Sequence, residues 1–281
     1  MLADVVPYLS CPLCRADLTL SAPAETAATL GCEQGHSFDV ARHGYASLLA
    51  GDTRTGTGDT AAMVAARTEF LARGEYADLT TALADAVEQA SAPGCLVDAG
   101  GGTGHHLAAA LDRRPDRVGL TCDLSRYAAR RAAKAHPRMS AVVADVWRGV
   151  PVRDSCATAV LNVFAPRNAA EFHRTLHPDG VLVVATPQAD HLSEIVGRLG
   201  LLSIDGEKAR RLGQALDRRF TREQSREVRW TMRLSGPEVH SLVEMGPSAR
   251  HTTDLDVESL GEPVQVTGAV TVATYRPRRL E

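Results

Sequence analysis

An α/β fold, with a mostly parallel, doubly wound sheet and a small N-terminal module, is predicted from three features of the sequence. From residue 95 onward, short apolar runs alternate with stretches of helical periodicity, which is the pattern of successive βαβ units. The first 50 residues lack this pattern and hold three of the six cysteines. A glycine-rich turn directly follows the first apolar run, where such a sheet places the junction between a strand and a helix.

The composition excludes several classes of protein. Of the 281 residues, 44% are hydrophobic and 23% are charged, as in an average globular domain, which excludes a disordered, collagenous or coiled-coil chain. No apolar run approaches the roughly 20 residues that cross a bilayer, and no signal sequence opens the chain, so we expect a cytoplasmic protein without membrane contact. The net charge of −3 argues against a uniformly cationic nucleic-acid binder but leaves room for local basic patches.

Four side chains with the spacing of a zinc site lie in the N-terminal module: Cys11, Cys14, Cys32 and His36. The arrangement C-x2-C followed by C-x3-H allows two short turns to hold one tetrahedral zinc ion. Four protein ligands leave no position for water or substrate, so the predicted ion is structural and replaces a core that about 40 residues cannot supply. The alternative is a small domain with four unligated side chains. The other three cysteines are interpreted as buried thiols: Cys95, Cys122 and Cys156.

A flexible linker is predicted to follow the module. Residues 51–58 are rich in glycine and threonine, and Asp59 is the predicted N-cap of a helix that ends near Arg73. The chain therefore divides into a zinc-binding module at 1–50, a linker and helix at 51–80, and the α/β domain at 81–281. Seven strands are predicted, at 95–100, 118–123, 141–146, 157–164, 181–187, 230–234 and 264–275, with helices near 104–113, 125–135 and 168–176.

The glycine-rich turn reads Asp98-Ala-Gly100-Gly-Gly102-Thr-Gly104, an acid followed by glycines at every second position. Glycines at this point allow the backbone to approach a ligand that faces the N-terminus of the next helix. The acid and the even spacing look like the S-adenosylmethionine loop of class I methyltransferases, whose acid helps to hold the methionine end. The alternatives are the dinucleotide loop of a dehydrogenase and a glycine turn without a ligand.

Polar residues also follow the next strands. Asp123, at the end of the second strand, is placed to bind both ribose hydroxyls, and Asp145, after the third, to contact the adenine amino group. After the fourth strand, Asn162, Phe164 and Pro166 loosely match the polar-x-x-aromatic loop that many methyltransferases of nucleic-acid bases carry over the acceptor. These three could instead be ordinary turn and core residues.

Further motifs extend along nearly the whole chain: Cys-Pro-Leu-Cys at 11–14, Gly-His-Ser-Phe-Asp at 35–39, Phe-Ala-Pro at 164–166, Ala-Thr-Pro at 185–187 and Met-Gly-Pro at 245–247. Together with the cofactor loop, they resemble the RlmA type of 23S rRNA guanine-N1 methyltransferases. The resemblance implies a class I methyltransferase fold with a Rossmann-like, seven-stranded sheet, S-adenosylmethionine as cofactor, and a structural zinc ion in an RNA-recognition module. The general likeness is to the actinobacterial branch, which includes the tylosin-resistance methyltransferase.

The same resemblance implies a substrate. The family transfers a methyl group to N1 of a guanine in hairpin 35 of 23S rRNA. In the actinobacterial branch the target is guanine 748 and the modification contributes to macrolide resistance, whereas the other branch modifies guanine 745. No single residue of this sequence decides between the branches. A homodimer is also implied.

Three more side chains are assigned to the cofactor site: Arg67, His105 and His106. Arg67 lies on the helix after the linker and could face the cofactor or RNA. The two histidines begin the helix after the glycine loop, where the positive end of the helix dipole favours a neutral imidazole. Either histidine could remove the guanine N1 proton or could only cap or pack the helix, so the catalytic base stays unassigned.

RNA binding requires local positive charge. Residues 126–138 contain five basic residues and no acids, and residues 207–233 contain nine basic residues against four acids. The zinc module has two arginines against five acids, so we expect it to recognise RNA through few groups while the basic stretches hold phosphates or are merely solvated. The candidate groups are Arg15, Arg42, His43 and Tyr45. Two other functions stay open, a small-molecule methyltransferase of an antibiotic pathway and a non-catalytic adaptor.

Overall fold

The computed structural model describes residues 2–21, 28–51, 56–202, 213–251, 255–261 and 263–279. These residues form an eight-stranded sheet with helices packed against it, and a three-stranded antiparallel sheet near the N-terminus. The strands are β1 (Thr19–Ser21), β2 (Thr29–Gly31), β3 (Ser37–Asp39), β4 (Tyr45–Ser47), β5 (Cys95–Ala99), β6 (Gly119–Asp123), β7 (Met139–Val143), β8 (Ala157–Val163), β9 (Leu176–Pro187), β10 (Phe220–Leu234) and β11 (Val264–Pro277). The helices are α1 (Leu2–Val5), α2 (Ala61–Ala72), α3 (Ala77–Glu88), α4 (His105–Arg113), α5 (Arg126–Ala132), α6 (Ala169–Thr175), α7 (Ser193–Val196) and α8 (Gly236–Glu244).

The large sheet has the strand order β10-β11-β9-β8-β5-β6-β7-β4. The six strands from β9 to β4 pair in parallel, whereas β11 runs antiparallel to β9, and β10 antiparallel to β11. After β5 the chain builds outward through β6 and β7, and it then returns to the other side of β5 with β8 and β9. The strand order therefore reverses between β5 and β8, and a ligand is expected in the crevice at the carboxyl ends of these strands.

Both faces of this sheet are buried. Alternate residues of the central strands enter two apolar clusters: in β5, Leu96 belongs to one cluster, and Cys95 and Val97 belong to the other. The first cluster contains residues of α2 to α5 and of α8. The second contains Phe172 of α6 together with apolar side chains of the N-terminal segment, which are Val5, Leu9, Leu18, Leu30 and Phe38. The N-terminal segment therefore supplies part of the layer that covers this face of the sheet.

One strand of the large sheet lies within the first 50 residues. β4 pairs in parallel with Ala141–Val143 of β7 and forms one edge of the sheet, and Leu9 forms a β-bridge with Val152. The seven predicted strands are all present, and β4 is an eighth. It has only three residues, which are too few to show a strand pattern in the sequence. Residues 52–55 of the predicted linker lie outside the described residues, and the division at residues 50 and 80 stays a prediction.

Three strand ends differ from the sequence prediction by three residues or more, and one of them is the start of β9, which lies at Leu176 rather than at residue 181. β10 begins at Phe220 rather than at residue 230, because its first half pairs with β11 although residues 221–227 are all exposed and show no apolar alternation. β7 ends at Val143, so Asp145 lies two residues beyond the strand. Residues 207–212 of the predicted basic stretch lie outside the described residues.

The prediction that Asp59 caps α2 is wrong by one residue. The hydroxyl of Thr60 accepts the hydrogen bond from the backbone N–H of Met63, and the Asp59 carboxylate is free for another partner. No helix among the described residues is long and apolar enough to cross a bilayer.

Candidate cofactor and zinc sites

The glycine-rich loop joins β5 to α4 at the point where the strand order reverses. Gly100, Gly102 and Gly104 have φ angles of 80°, 55° and 75°, a region that favours glycine. A Cβ atom on Gly100 would lie 2.5 Å from the Cβ of Ala165, and one on Gly102 would lie 2.8 Å from Nη1 of Arg67. Side chains are therefore unfavourable at Gly100 and Gly102, and the loop packs between the residues after β8 and the arginine of α2.

Asp98 is buried at the end of β5, with 1% of its surface exposed. Its Oδ1 atom has no hydrogen-bond partner among the described residues. Burial, with a smaller contribution from the charge of Asp123, raises the pKa of Asp98 to about 7. A buried carboxylate oxygen without a partner is costly, and a bound cation would remove that cost. This buried carboxylate oxygen therefore suits the ammonium group of an amino acid as its partner.

Asp123 lies at the end of β6, directly beside the glycine loop. Its Oδ2 accepts a hydrogen bond from the N–H of Gly102 at 2.9 Å, and its Oδ1 accepts one from the N–H of Ser125 at 2.8 Å. Burial raises the pKa of Asp123, and the two backbone hydrogen bonds oppose that rise. An ionised carboxylate has about four acceptor positions, so two remain for the paired hydroxyls of a ribose.

Asp145 lies next to Asp123 in space, because the N–H of Ala144 donates to the carbonyl of Asp123 at 2.9 Å. Its Oδ1 accepts a hydrogen bond from the N–H of Trp147 at 3.0 Å. Asp145 lines a small open cleft together with residues of the N-terminal segment such as Leu49. The structure thus brings the three predicted acids to one edge of the sheet.

Arg67 extends from α2 across the glycine loop. Its Nη1 donates to Oδ2 of Asp59 and its Nη2 donates to the carbonyl of Met245, both at 2.5 Å. The hydroxyl of Ser125 donates to the Asp59 carbonyl at 2.6 Å, which links this pair to the segment after β6. Arg67 therefore lies at the predicted cofactor site, but two of its donors are used by protein partners.

The two histidines at the start of α4 differ in their contacts. Nδ1 of His106 lies 3.0 Å from the hydroxyl of Thr80 on α3, and that hydroxyl also donates to the carbonyl of Tyr76. Burial, followed by the charges of His105 and Arg67, lowers the pKa of His106 to about 3, and burial lowers the pKa of His105. A group with a pKa near 3 holds a proton poorly at neutral pH, so His106 is suited to packing α4 against α3 and not to general-base catalysis.

The segment after β8 is tied to the glycine loop through Asn162. This side chain is fully buried, and its Nδ2 donates to the carbonyl of Ala99 at 3.2 Å and to the carbonyl of Pro166 at 2.9 Å. Its Oδ1 is buried without a partner among the described residues. Asn162 therefore fixes the backbone of the predicted acceptor loop.

Phe164 is the exposed aromatic residue of this loop. It is 45% exposed and has a φ of 51°, which is rare for a residue with a bulky side chain. Its ring stacks on that of His191, with centroids 5.8 Å apart and planes inclined by 30°. Nδ1 of His191 accepts a hydrogen bond from the N–H of Ala269 at 3.0 Å, and burial lowers the pKa of His191 to about 4. A neutral, fixed imidazole thus supports one face of the Phe164 ring.

The four predicted zinc ligands converge. The Sγ atoms of Cys14 and Cys32 are 3.7 Å apart, and Nδ1 of His36 lies 3.4 Å from Sγ of Cys32 and 3.5 Å from Sγ of Cys11. All four ligand atoms lie within 4.8 Å of one another. Tetrahedral zinc, with bonds of about 2.3 Å to sulfur and about 2.0 Å to nitrogen, separates its ligand atoms by roughly 3.4–3.8 Å. The donor set therefore fits a structural zinc ion.

Arg15 attaches the first zinc-binding turn to the large sheet. Its Nη2 donates to Oε1 of Glu171 on α6 at 3.2 Å, and Arg174 and the N–H of Val150 bind the same carboxylate. Burial alone would raise the pKa of Glu171, but the hydrogen bonds from Arg174 and Val150 and the charges of both arginines lower it to about 2. Arg15 thus has a protein partner in Glu171, and its predicted contact with RNA stays a prediction.

Known proteins are similar to this chain along nearly its whole length. Residues 9–54 match the zinc-ribbon family described as "RlmA, N-terminal". A protein of Streptomyces fradiae named 23S rRNA (guanine(748)-N(1))-methyltransferase is 46% identical over 287 residues, which cover 99% of each chain. A protein of Micromonospora griseorubida, provisionally named a 23S rRNA (guanine-N(1)-)-methyltransferase, is 48% identical over 98% of this chain and 99% of its own. The chain belongs to the 23S rRNA (guanine-N1) methyltransferase family. A provisionally named member from Bacillus subtilis is 32% identical over 85% of this chain.

Membership of the 23S rRNA (guanine-N1) methyltransferase family confirms the predicted class I methyltransferase fold, with S-adenosylmethionine as cofactor and a zinc ribbon at the N-terminus. Both groups fit the residues present. The unpartnered Oδ1 of Asp98 suits the ammonium of the cofactor, and the spacing of three thiols and one imidazole suits zinc.

Several residues at the site of this methyltransferase are not predicted by its sequence. The sequence predicts Asp59 as a helix cap, whereas its carboxylate binds Arg67. Gly101 falls outside the alternating glycine pattern, yet a Cβ atom there would lie 2.4 Å from the Asp98 carboxylate. His191 stacks on Phe164, and no local pattern in the sequence links the two residues. The run of three glycines at 100–102 is the one signal in the sequence that points to a close backbone approach at Gly101.

Proposed function

We propose that this chain methylates N1 of a guanine in hairpin 35 of 23S rRNA, that the target is guanine 748, and that the modification contributes to resistance to tylosin-type macrolides. The observation that carries the proposal is the 46% identity, over 99% of both chains, to the Streptomyces fradiae protein named for guanine 748. The zinc ribbon and the S-adenosylmethionine loop support the same reaction. A cytoplasmic location and a homodimer belong to this proposal.

The three acids divide the cofactor between them in this proposal. Asp98 receives the ammonium of the methionine end, Asp123 receives the ribose hydroxyls with its two free acceptor positions, and Asp145 receives the adenine amino group. When bound, S-adenosylmethionine supplies a sulfonium methyl group that is already activated for transfer. The task left to the protein is to hold guanine N1 in line with that group and to exclude other orientations.

The base reaches this position unpaired, because N1 lies on the Watson–Crick edge, and a hairpin loop presents such a base at little cost. None of the acceptor-loop side chains Asn162, Phe164 and Pro166 is a base, and His106 is engaged with Thr80. We infer that positioning supplies most of the rate and that the N1 proton leaves to water on the open side of the loop. Asn162 then fixes the backbone of the acceptor loop, and the exposed ring of Phe164 stacks on the target base.

Replacing Phe164 with leucine is expected to lower kcat/KM for the RNA about 10- to 100-fold, because stacking of a base on an aromatic ring contributes about 1–3 kcal/mol. The Kd for S-adenosylmethionine should stay unchanged. Phe164→Tyr, which keeps the ring, is the matched control and should retain most of the activity. Wild-type kcat/KM in the leucine variant would remove Phe164 from the acceptor site.

The reaction itself is tested by incubating unmodified 23S rRNA with the protein and methyl-labelled S-adenosylmethionine, followed by mass-spectrometric mapping. We expect label as 1-methylguanine at guanine 748. Label at guanine 745 would move the target within the hairpin. Absence of label from RNA, with cofactor binding confirmed by calorimetry, would favour the small-molecule methyltransferase instead.

A further inference from the structure

Two segments that are far apart in the sequence meet on one side of the molecule. The turn before β4 and the turn that ends α5 line the same open groove, with Arg42, His43 and Gly44 on one wall and Lys134 and His136 on the other. We use the term basic surface for Arg42 and His43 together with Arg126, Arg130, Arg131 and Lys134. The five arginine and lysine side chains of this set are all exposed.

The charges of the two segments act on each other. The pKa of His43 is lowered by burial and then by the positive charges of Arg130, Arg42 and Lys134. One of these cations neighbours His43 in the zinc ribbon, and the other two belong to the methyltransferase domain. The basic surface is therefore one electrostatic unit that exists only when the two parts are packed together.

Among the described residues these cations have no acidic partner, unlike surface arginines such as Arg73 and Arg113. Arg73 pairs with Glu69 at 2.9 Å, and Arg113 pairs with Glu88 at 3.1 Å. Within the described ranges, none of the five arginine and lysine side chains of the basic surface has a carboxylate oxygen within 4.0 Å. Arg126 donates instead to the hydroxyl of Tyr127, at 2.9 Å.

The spacing along α5 also concentrates the charge. Arg126, Arg130 and Lys134 follow one another at intervals of four residues, so they lie along one side of the helix and of the turn that continues it. Like charges at this spacing destabilise a helix by about 0.2–0.5 kcal/mol per pair. A chain with a net charge of −3 thus keeps an uncompensated row of cations, whose mutual repulsion a bound polyanion would relieve.

The row leads away from the cofactor. α5 is capped by Ser125, two residues after the predicted ribose ligand Asp123. At about 1.5 Å per residue, Arg126 and Lys134 are separated by roughly 12 Å along the helix direction. Lys134, at the far end of this row, lies beside Gly44 at the amino end of β4. The cofactor loop lies at the other end of the sheet, where the parallel strands have their carboxyl ends.

We propose that the basic surface binds the phosphate backbone of the stem of the RNA substrate and thereby positions the loop guanine at the cofactor site. The inference rests on the proposed function and adds the place where the RNA lies. Its contacts are to phosphates, so they set register and orientation and carry no sequence preference. The zinc ribbon contributes to RNA binding here through Arg42, whereas Arg15 is held by Glu171.

Binding of an RNA hairpin with the sequence of hairpin 35, measured by fluorescence anisotropy between 50 and 200 mM salt, tests this placement. The double variant Arg130→Gln/Lys134→Gln should bind at least about tenfold more weakly than wild type at 100 mM salt. The slope of log K against log salt should become shallower by about 1.8, since each phosphate contact to a duplex contributes about 0.9. Arg42→Gln, which lies in the turn before β4, should make the slope shallower by about 0.9.

The matched control is Arg73→Gln/Arg113→Gln, which removes the same charge from paired arginines and should keep the wild-type slope. Cofactor Kd, zinc content and the thermal midpoint should be unchanged in every variant, which shows that folding is intact. If the wild type binds and methylates the hairpin while the basic-surface variants match the control, the placement is wrong and the proposed function stands. If the wild type shows no salt-dependent RNA binding and no methylation, both are overturned.

Discussion

Replacing Asp98 with asparagine is expected to weaken S-adenosylmethionine binding by at least about 100-fold at pH 7.5. The substitution preserves the size of the side chain but removes the negative charge opposite the ammonium of the cofactor. Removing one partner of a buried charge pair costs about 3–5 kcal/mol, and about 2.7 kcal/mol already corresponds to 100-fold in Kd. Titration calorimetry measures the change directly.

The pH dependence of binding separates this role from a structural one. The pKa of Asp98 is raised to about 7, so the carboxyl group is protonated below pH 7. Below that pH it must release its proton before it can pair with the ammonium group. The wild-type Kd should therefore tighten about tenfold per pH unit from pH 5.5 up to 7 and then level off. The asparagine variant should show no such dependence. A wild-type affinity that does not change with pH would contradict the assignment.

The stability of the ligand-free protein supplies the control. It should fall as the pH rises, whereas the affinity for the cofactor should increase. The pKa of Asp98 is higher in the folded state, at about 7, than the value near 3.9 of an unfolded chain, so the folded state binds more protons between these values. The stability that this group provides is fully present below about pH 4 and is lost as the pH rises to 7, by roughly 4 kcal/mol. Asp98→Asn should abolish that loss and leave the ligand-free protein at least as stable as wild type at pH 8. A destabilised variant would make Asp98 a structural residue.

The parts of the fold and site that the sequence predicts are those fixed by local chemistry. Positive φ angles at Gly100, Gly102 and Gly104 require glycine wherever the loop occurs, so the motif is visible without a structure. The zinc ligands are equally local, since each turn supplies two ligands within five residues. Parallel strands that alternate with helices also bring Asp123 and Asp145 to the same edge of the sheet.

The parts that the sequence does not reveal depend on contacts between distant segments. β4 has three residues, too few for a periodic pattern, and becomes a strand only because β7 is available beside it. Arg15 looks like an RNA contact until Glu171, 156 residues away, is placed against it. The same holds for Arg67 with Met245 and for Phe164 with His191. Such pairs are consequences of packing, and no spacing rule encodes them.

Replacing Cys14 with serine is expected to release zinc and to destabilise the methyltransferase domain as well as the zinc ribbon. Binding of a structural zinc ion supplies of the order of 10 kcal/mol, which is comparable to the whole stability of a domain. The ribbon shares an apolar cluster with β5 and β8, its β4 is an edge strand of the large sheet, and Arg15 binds Glu171 on α6. Metal analysis, thermal unfolding and cofactor calorimetry measure the three consequences.

Cys156→Ser is the matched control, because this thiol lies outside the zinc cluster, where it donates to the carbonyl of Arg153 at 3.3 Å. The control should keep one zinc ion per chain and the wild-type thermal midpoint. Stoichiometric zinc in Cys14→Ser would refute the ligand set. Loss of zinc with wild-type cofactor affinity would instead show that the first 50 residues fold as a separate unit. We expect cofactor affinity to fall with the zinc, because the cleft that contains Asp145 is walled by Cys11 and Leu49 of the ribbon, and those walls are held in place by the metal.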